Sequence, residues 1–270
     1  MSLIFVLVVA GASSQKIEGV FNYKATYNLT YQIDSTDENS KKSETMLLYI
    51  GDRLSRFSSL GTAVGDSLTE TVDKSNKNMA EFSRIRSMTP KTQFNYKIFK
   101  HYNGNQLEFV EKVFKDKIKY KQDLKLQNWQ IIPKTDTVSG YPVQKATTSY
   151  AGRDYIAWFT PEIPIPDGPY KFNGLPGLIL RISDLEDDYN FELIGFQKLQ
   201  KPVSIILDYS KYKFVDKKDF LKLKSNFDRN PLKAMNNAGI KIGWSKEDEM
   251  QAKREFAEKF KKENNPLEKN

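Results

Sequence analysis

The longest regular pattern in the chain runs from Val20 to Ile33. Phe21, Tyr23, Ala25, Tyr27, Leu29, Tyr31 and Ile33 alternate there with Asn22, Lys24, Thr26, Asn28, Thr30 and Gln32. A period of two puts the apolar side chains on one face of a strand and the polar ones on the other. A sheet with one wet face is expected to be antiparallel. The polar stretch DSTDENSKK leads to a second strand at ETMLLYI. LSRFSS, TQFNYKIFKHY, QLEFVEKVF and KIKYKQ continue the series, with Asn103-Gly104 as a hairpin signal. Residues 61–78 lack a period and read as an irregular, mobile loop.

Beyond Trp129, DTVSGYPVQKATTSYAGRDYIAWFT reads as two strands joined at Ala151–Asp154, and LILRIS and YNFELIGFQKL as a hairpin around the acidic turn DLEDD. Between these pairs lies PEIPIPDGPYKFNGLPG, which holds five of the eleven prolines. Proline cannot donate to a sheet ladder, so this stretch is expected to cross outside a central strand. After Pro202 the pattern turns helical, at DKKDFLKLKSNF and at SKEDEMQAKREFAEKFKKEN. In the second of these Ser245 and Asp248 have capping-box spacing, and Met250, Phe256 and Phe260 form a thin apolar stripe. The expected fold is therefore mainly β (α+β): a long, curved antiparallel sheet, half-barrel-like, with a helical C-terminal segment. The expected division is a signal peptide over 1–14, a β-rich domain over 15–205, and a basic helical extension over 206–270 packing on or beside the sheet.

Composition narrows the chemistry. The 270 residues can bury a substantial core. They include no cysteine, which excludes disulfides, thiolate metal sites and cysteine nucleophiles, and the single histidine, His101, excludes a polyhistidine site within one chain. Of the net charge of +8, +7 falls in residues 198–270, so contact with an anionic surface is expected of that segment alone. The opening MSLIFVLVVAGASSQ is too short to span a bilayer but suits a secretory signal. Small residues at Ala10–Ala12 and Ala12–Ser14 predict a mature start near Ser13 or Gln15. No later segment reaches membrane length.

The most distinctive stretch is KFNGLPGLIL, residues 171–180. Pro176 and Gly177 fit a type II turn between Leu175 and Leu178, with Gly177 at positive φ, and the glycines allow close approach to a neighbouring backbone. Gly174, Leu175, Pro176, Gly177, Leu178 and Ile179 resemble the hexapeptide of the GLPGLI family, exported proteins of Bacteroidota. SGYPVQKA, RDYIAWFTPEIP and GPYKFNGLPGLIL extend the resemblance over roughly residues 125–200. It implies export, a β-rich fold and a cell-envelope setting, and brings no activity with it. Val143 stands where members often carry cysteine, so no redox or metal role is carried to that position.

Candidate chemistry is sparse. His101 lacks a Gly-x-Ser-x-Gly nucleophile elbow to serve. Asp184, Glu186, Asp187 and Asp188 lack the glycine and ligand spacing of an EF-hand, and read as a solvated turn. Arg153, Asp154, Tyr155, Trp158, Glu162 and Asp167 gather charge and aromatics near the proline-rich crossing, without a spacing that assigns an acid and a base. No catalytic residue, metal ligand or cofactor is therefore assigned. The expected function is that of an exported, non-enzymatic envelope domain binding a hydrophobic ligand or a protein partner. Phe21, Tyr23, Tyr27, Tyr31 and Trp158 are its candidate ligand-binding residues. The alternative is a hydrolase of envelope glycans or peptides acting through carboxylates. No recognition motif points to nucleic acid.

Overall fold

The structure is a computed structural model that describes residues 16–72, 78–208, 210, 212–240 and 243–269. The expected signal peptide lies outside the described residues. Twelve strands form one sheet. They are β1 (Lys16–Gln32), β2 (Lys41–Ile50), β3 (Leu54–Ser59), β4 (Lys97–His101), β5 (Gln106–Val113), β6 (Asp116–Asp123), β7 (Gln130–Val138), β8 (Tyr141–Tyr150), β9 (Arg153–Thr160), β10 (Leu178–Asp184), β11 (Tyr189–Asp208) and β12 (Tyr212–Phe214). Their order is β12-β6-β5-β4-β3-β2-β1-β11-β10-β9-β8-β7. Every described pairing is antiparallel except the short parallel pair of β12 and β6. The sheet is open, and the β-rich α+β fold with a helical C-terminal segment is as expected. The expected boundary at 205/206 falls inside β11.

Curvature follows from the core. In a flat sheet β3 and β11, three steps apart, would be separated by about 14 Å. Yet the rings of Phe57 on β3 and Phe191 on β11 lie 6.0 Å apart. One cluster gathers Tyr27, Leu48, Phe57, Ile98 and Phe109 from one wing with Val143, Tyr155 and Ile182 from the other. This is the concave face. Alternation sends Phe99 and Val110 to the opposite face, where a smaller cluster forms with Phe21 and Leu54.

Helices cover both faces. On the outer face, the stretch expected as a mobile loop contains α1 (Leu60–Glu70), and α2 (Met79–Met88) follows it. Ser59 caps α1 by accepting the Thr62 N–H, and Asn78 caps α2 by accepting from Glu81. Two glycines hid α1 from a reading of propensity. Gly61 is needed because a Cβ there would meet the Pro90 carbonyl oxygen at 2.4 Å. Asp66 pins α1 down through Arg56 and Lys97, at 3.0 and 2.8 Å. On the concave side α3 (Lys217–Arg229) inserts Phe220 against Phe109 and Tyr120. It is followed by α4 (Pro231–Asn237) and α5 (Lys246–Lys262), the latter with the expected capping box. Among the described residues no helix is long and apolar enough to cross a membrane.

Candidate functional site

The proline-rich crossing, residues 161–177, lies within the concave face. Its backbone groups are largely satisfied internally: Gly174 N–H donates to the Pro166 carbonyl, Phe172 to Pro169, and Leu178 to Ile163. Gly177 has the expected positive φ, at +152°. The turn itself differs from the type II expectation, because Gly177 N–H donates to Leu175 O across Pro176 at 2.8 Å, a γ-type closure. The bond that would define a type II turn is absent since Leu178 N–H is taken by Ile163. Glycine is required for proximity as well: a Cβ on Gly177 would sit 2.0 Å from the Thr160 carbonyl oxygen. Leu175, Leu178 and Ile179 are buried, whereas Gly174 and Pro176 face outward.

Two lysines are wholly buried beneath this crossing. Lys100, from β4, donates to the Asp167 carboxylate at 2.5 Å, to Gly168 O at 2.6 Å and to Phe172 O at 3.0 Å. Three donors thus meet three acceptors. Asp167 also accepts from Tyr102 Oη and its neighbouring Gly168 N–H. Lys171 donates to Tyr120 Oη, Gln122 Oε1 and Glu268 Oε1, at 3.0, 3.0 and 2.6 Å. The rings of Phe109, Tyr120 and Tyr170 surround its ammonium, each with its centroid 5.2–5.4 Å away. Tyr170, which precedes it, is a bulky buried residue held at φ +52°. Such backbone strain clusters at functional positions.

Glu268 belongs to a segment, Asn264–Lys269, laid along the groove between the wings. Asn265 N–H donates to Ile33 O, its side-chain amide donates to Gln32 O, and its backbone oxygen accepts from Tyr189 Oη. Arg153 donates to Asn265 Oδ1 and Pro266 O, and on its other side to Asp184 and Asp188. Tyr155 Oη reaches Leu267 O, and Lys269 N–H reaches Ala151 O. Glu268 Oε1 accepts from Tyr150, Tyr170 and Lys171, while Oε2 pairs with Lys217 at 2.8 Å.

Electrostatics follow from burial. Burial pushes Lys171 down to about 8 against the opposing pull of Glu268. Burial works to raise Glu268, but Lys171 and Lys217 prevail and bring it to about 2. Both are charged at neutral pH. Burial raises Asp184, partly offset by a Tyr189 backbone hydrogen bond and Arg153. The groove thus holds Glu268 between two lysines and a set of aromatic rings, with Arg153 balanced by Asp184 and Asp188 further along.

The candidate ligand-binding aromatics do not form one trough. Tyr27 is wholly buried, and its hydroxyl donates to Ile179 O at 2.8 Å. Tyr31 donates to Glu44, Tyr23 stacks on Phe196, and Trp158 lies under the Arg181 guanidinium. Phe21 joins the outer cluster, because four residues of β11, Leu199–Pro202, stand opposite the single Asn22 and break the alternation there. Of the residues flagged near the crossing, Arg153, Tyr155 and Asp167 enter the inner networks, while Asp154 and Glu162 are exposed. The acidic turn serves Arg153 through Asp184 and Asp188, and Asp187 pairs with Lys41. His101 Nε2 stands 3.7 Å from Glu108 on the outer side of β4 and β5. Lys100, Lys171 and Glu268 escaped the sequence reading. Lys171 between Tyr170 and Phe172, a cation in an aromatic run, was the available signal.

Residues 69–181 match the model of a family described as a protein of unknown function, Porph_ging. No curated protein matches the chain. Among solved structures the chain is similar to PNGF-II in space groups C2 and P21. Each superposes with a TM-score of 0.51 at 14% identity, over 76% and 75% of this chain. At that identity the likeness is one of fold. The chain spans about a third, 32% and 33%, of the length of those structures.

Proposed function

We propose that this chain is an exported, cell-envelope protein of the GLPGLI type that works as a non-enzymatic binding module, and that its concave groove grips an extended stretch of polypeptide bearing a carboxylate. The observation that carries this is the seating of Asn264–Lys269. Four consecutive residues, Asn265 to Glu268, are held through backbone and side chain by Arg153, Lys171 and a ring of tyrosines, with Asn264 tied to Ser35 and Asp34 and Lys269 to Ala151 O on either side. Polypeptide is therefore the chemistry this groove fits. A hydrophobic small molecule has less to recommend it, since the aromatic face of β1 is spent on core. The carboxylates in the groove argue in the same direction. Asp167, Asp184 and Glu268 are each ion-paired with a buried Lys or Arg, which commits them to holding the fold and the segment in place. Export rests on the apolar run before Ser13 and on the hexapeptide at Gly174–Ile179.

The test uses the full chain carrying Asn265→Ala and Glu268→Ala, which loosens the resident segment, and a fluorescent peptide KENNPLEK copied from residues 262–269. The expected result is saturable binding by the loosened variant, weaker binding by the unaltered chain, and loss on adding Lys171→Met. Folded variant protein that ignores the peptide, or binds a scrambled peptide equally well, overturns the reading.

A further inference from the structure

On the outer face, far from the groove in role, a cavity of about 430 Å³ opens between α1, α2 and strands β4 to β6. Three lysines line it: Lys97, Lys112 and Lys117. Lys112 and Lys117 are register partners across β5 and β6, so like charges stand directly opposite each other. Both side chains are solvent-exposed, so water screens part of the repulsion, and an anion held between them would remove the rest. Among the described residues neither has an acidic partner; Lys117 only caps the Tyr212 ring at 5.5 Å. The one carboxylate committed to the cavity, Asp66, is already shared by Arg56 and Lys97. Glu111 also borders the space, but its carboxyl pairs with Lys224. Burial lowers the pKa of Lys97 against the pull of Asp66, with Arg56 and, after it, Lys117 adding to that lowering.

The rest of the lining suits hydroxyl groups. Thr62, Thr89 and Thr92 each donate their own proton inward, to Phe94 O, Ile85 O and Glu44 respectively. The Thr89 oxygen is left to accept, while those of Thr62 and Thr92 already take one bond each, from Ser59 Oγ and the Phe94 N–H, and keep one lone pair apiece. The volume exceeds what a bare anion fills and falls in the range of small-molecule sites. We infer that this cavity binds the phosphate monoester of a small polyol, with Lys112 and Lys117 clamping the phosphate and the threonines receiving the hydroxyls. The site is independent of the peptide groove.

Calorimetric titration of the full chain with glycerol phosphate, inorganic phosphate and glycerol tests it, alongside flotation with phosphatidic acid vesicles. The expected result is that glycerol phosphate binds more tightly than inorganic phosphate, that glycerol does not bind, and that Lys112→Ala/Lys117→Ala weakens binding at least about tenfold. That is the scale for losing one or two charge-assisted contacts. Binding confined to vesicles, and lost in the same double variant, assigns the phosphate to a lipid headgroup and keeps the site. Lys253→Ala/Lys259→Ala on α5 serves as the charge-matched control, and Lys117→Gln as a milder variant should the double variant melt early. Equal losses in the control and double variants, or no response to any phosphate probe, overturns the inference.

Discussion

Replacing Glu268 by glutamine removes one charge at the centre of the groove while nearly preserving its volume. The carboxyl is held at about 2 instead of its ordinary 4.5. At about 1.4 kcal/mol per pKa unit, that shift corresponds to roughly 3 kcal/mol of folding free energy at neutral pH. Because the folded pKa is depressed, the contribution is complete above about 4.5 and is lost as pH falls towards about 2. The variant lacks this contribution at every pH. It also turns an amide donor on either Lys171 or Lys217, where Glu268 offered an acceptor to both. Urea melts should therefore separate the two proteins by about 1 M in midpoint at pH 7, given a slope near 3 kcal/mol/M for a chain of this size. The gap should close progressively between pH 4.5 and pH 2. Other carboxylates, including Asp184 with its opposite shift, act in both proteins and cancel in the difference. A gap that persists unchanged at pH 3 would refute the electrostatic account and leave Glu268 as a matter of packing.

Gly177→Ala should already cost at least about 2–3 kcal/mol, nearly as much as Gly177→Val, because the first added carbon meets Thr160 O at 2.0 Å; thermal melts decide, and a mild alanine variant beside a severe valine one would show the clash is avoidable. Gly174→Ala, where a Cβ meets nothing within 4 Å, should lose only about 1–2 kcal/mol for its left-handed backbone at φ +92°. Asp167→Ala should destabilise by about 3–5 kcal/mol by stranding Lys100, with Lys100→Met/Asp167→Ala recovering part of the loss in a double-mutant cycle; simple additivity would contradict the pairing. Tyr27→Phe should cost about 1 kcal/mol through the lost bond to Ile179 O, and an unchanged melt would mean that bond contributes nothing.

Strands were legible where burial is one-sided or continuous. The period of two in β1 and the apolar runs of β2, β5 and β10 mark their own boundaries, because sheet geometry maps directly onto adjacent residues. The register break near Asn22 was not legible, since its cause lies in Leu199–Pro202 on another strand. Helices α1 and α2 show the complementary failure. Their apolar positions are few, and Asp66 ties α1 to the sheet by ion pairs that no hydropathy pattern records. The capping signals at Ser59 and at Asn78 with Glu81 were present, and in α1 the two glycines worked against them.

The groove was hardest to foresee, for a reason that bears on what it does. Its partners are distant in sequence: Lys100 with Asp167 at a separation of 67 residues, Lys171 with Glu268 at 97, Arg153 with Asn265 at 112. Buried ion pairs of this kind add little net stability compared with apolar side chains of the same size, because desolvation offsets attraction. A fold needing only stability would be served by leucine or methionine at Lys100 and Lys171, both wholly buried. Charged groups fix something that apolar packing does not: which segment lies in the groove and in which direction. Arg153 reads an asparagine and the next carbonyl, Lys171 reads a carboxylate three residues further on, and the strained Tyr170 holds its hydroxyl on that same oxygen. The arrangement fixes the register of residues 264–269, and it is on this register that the proposed peptide binding rests.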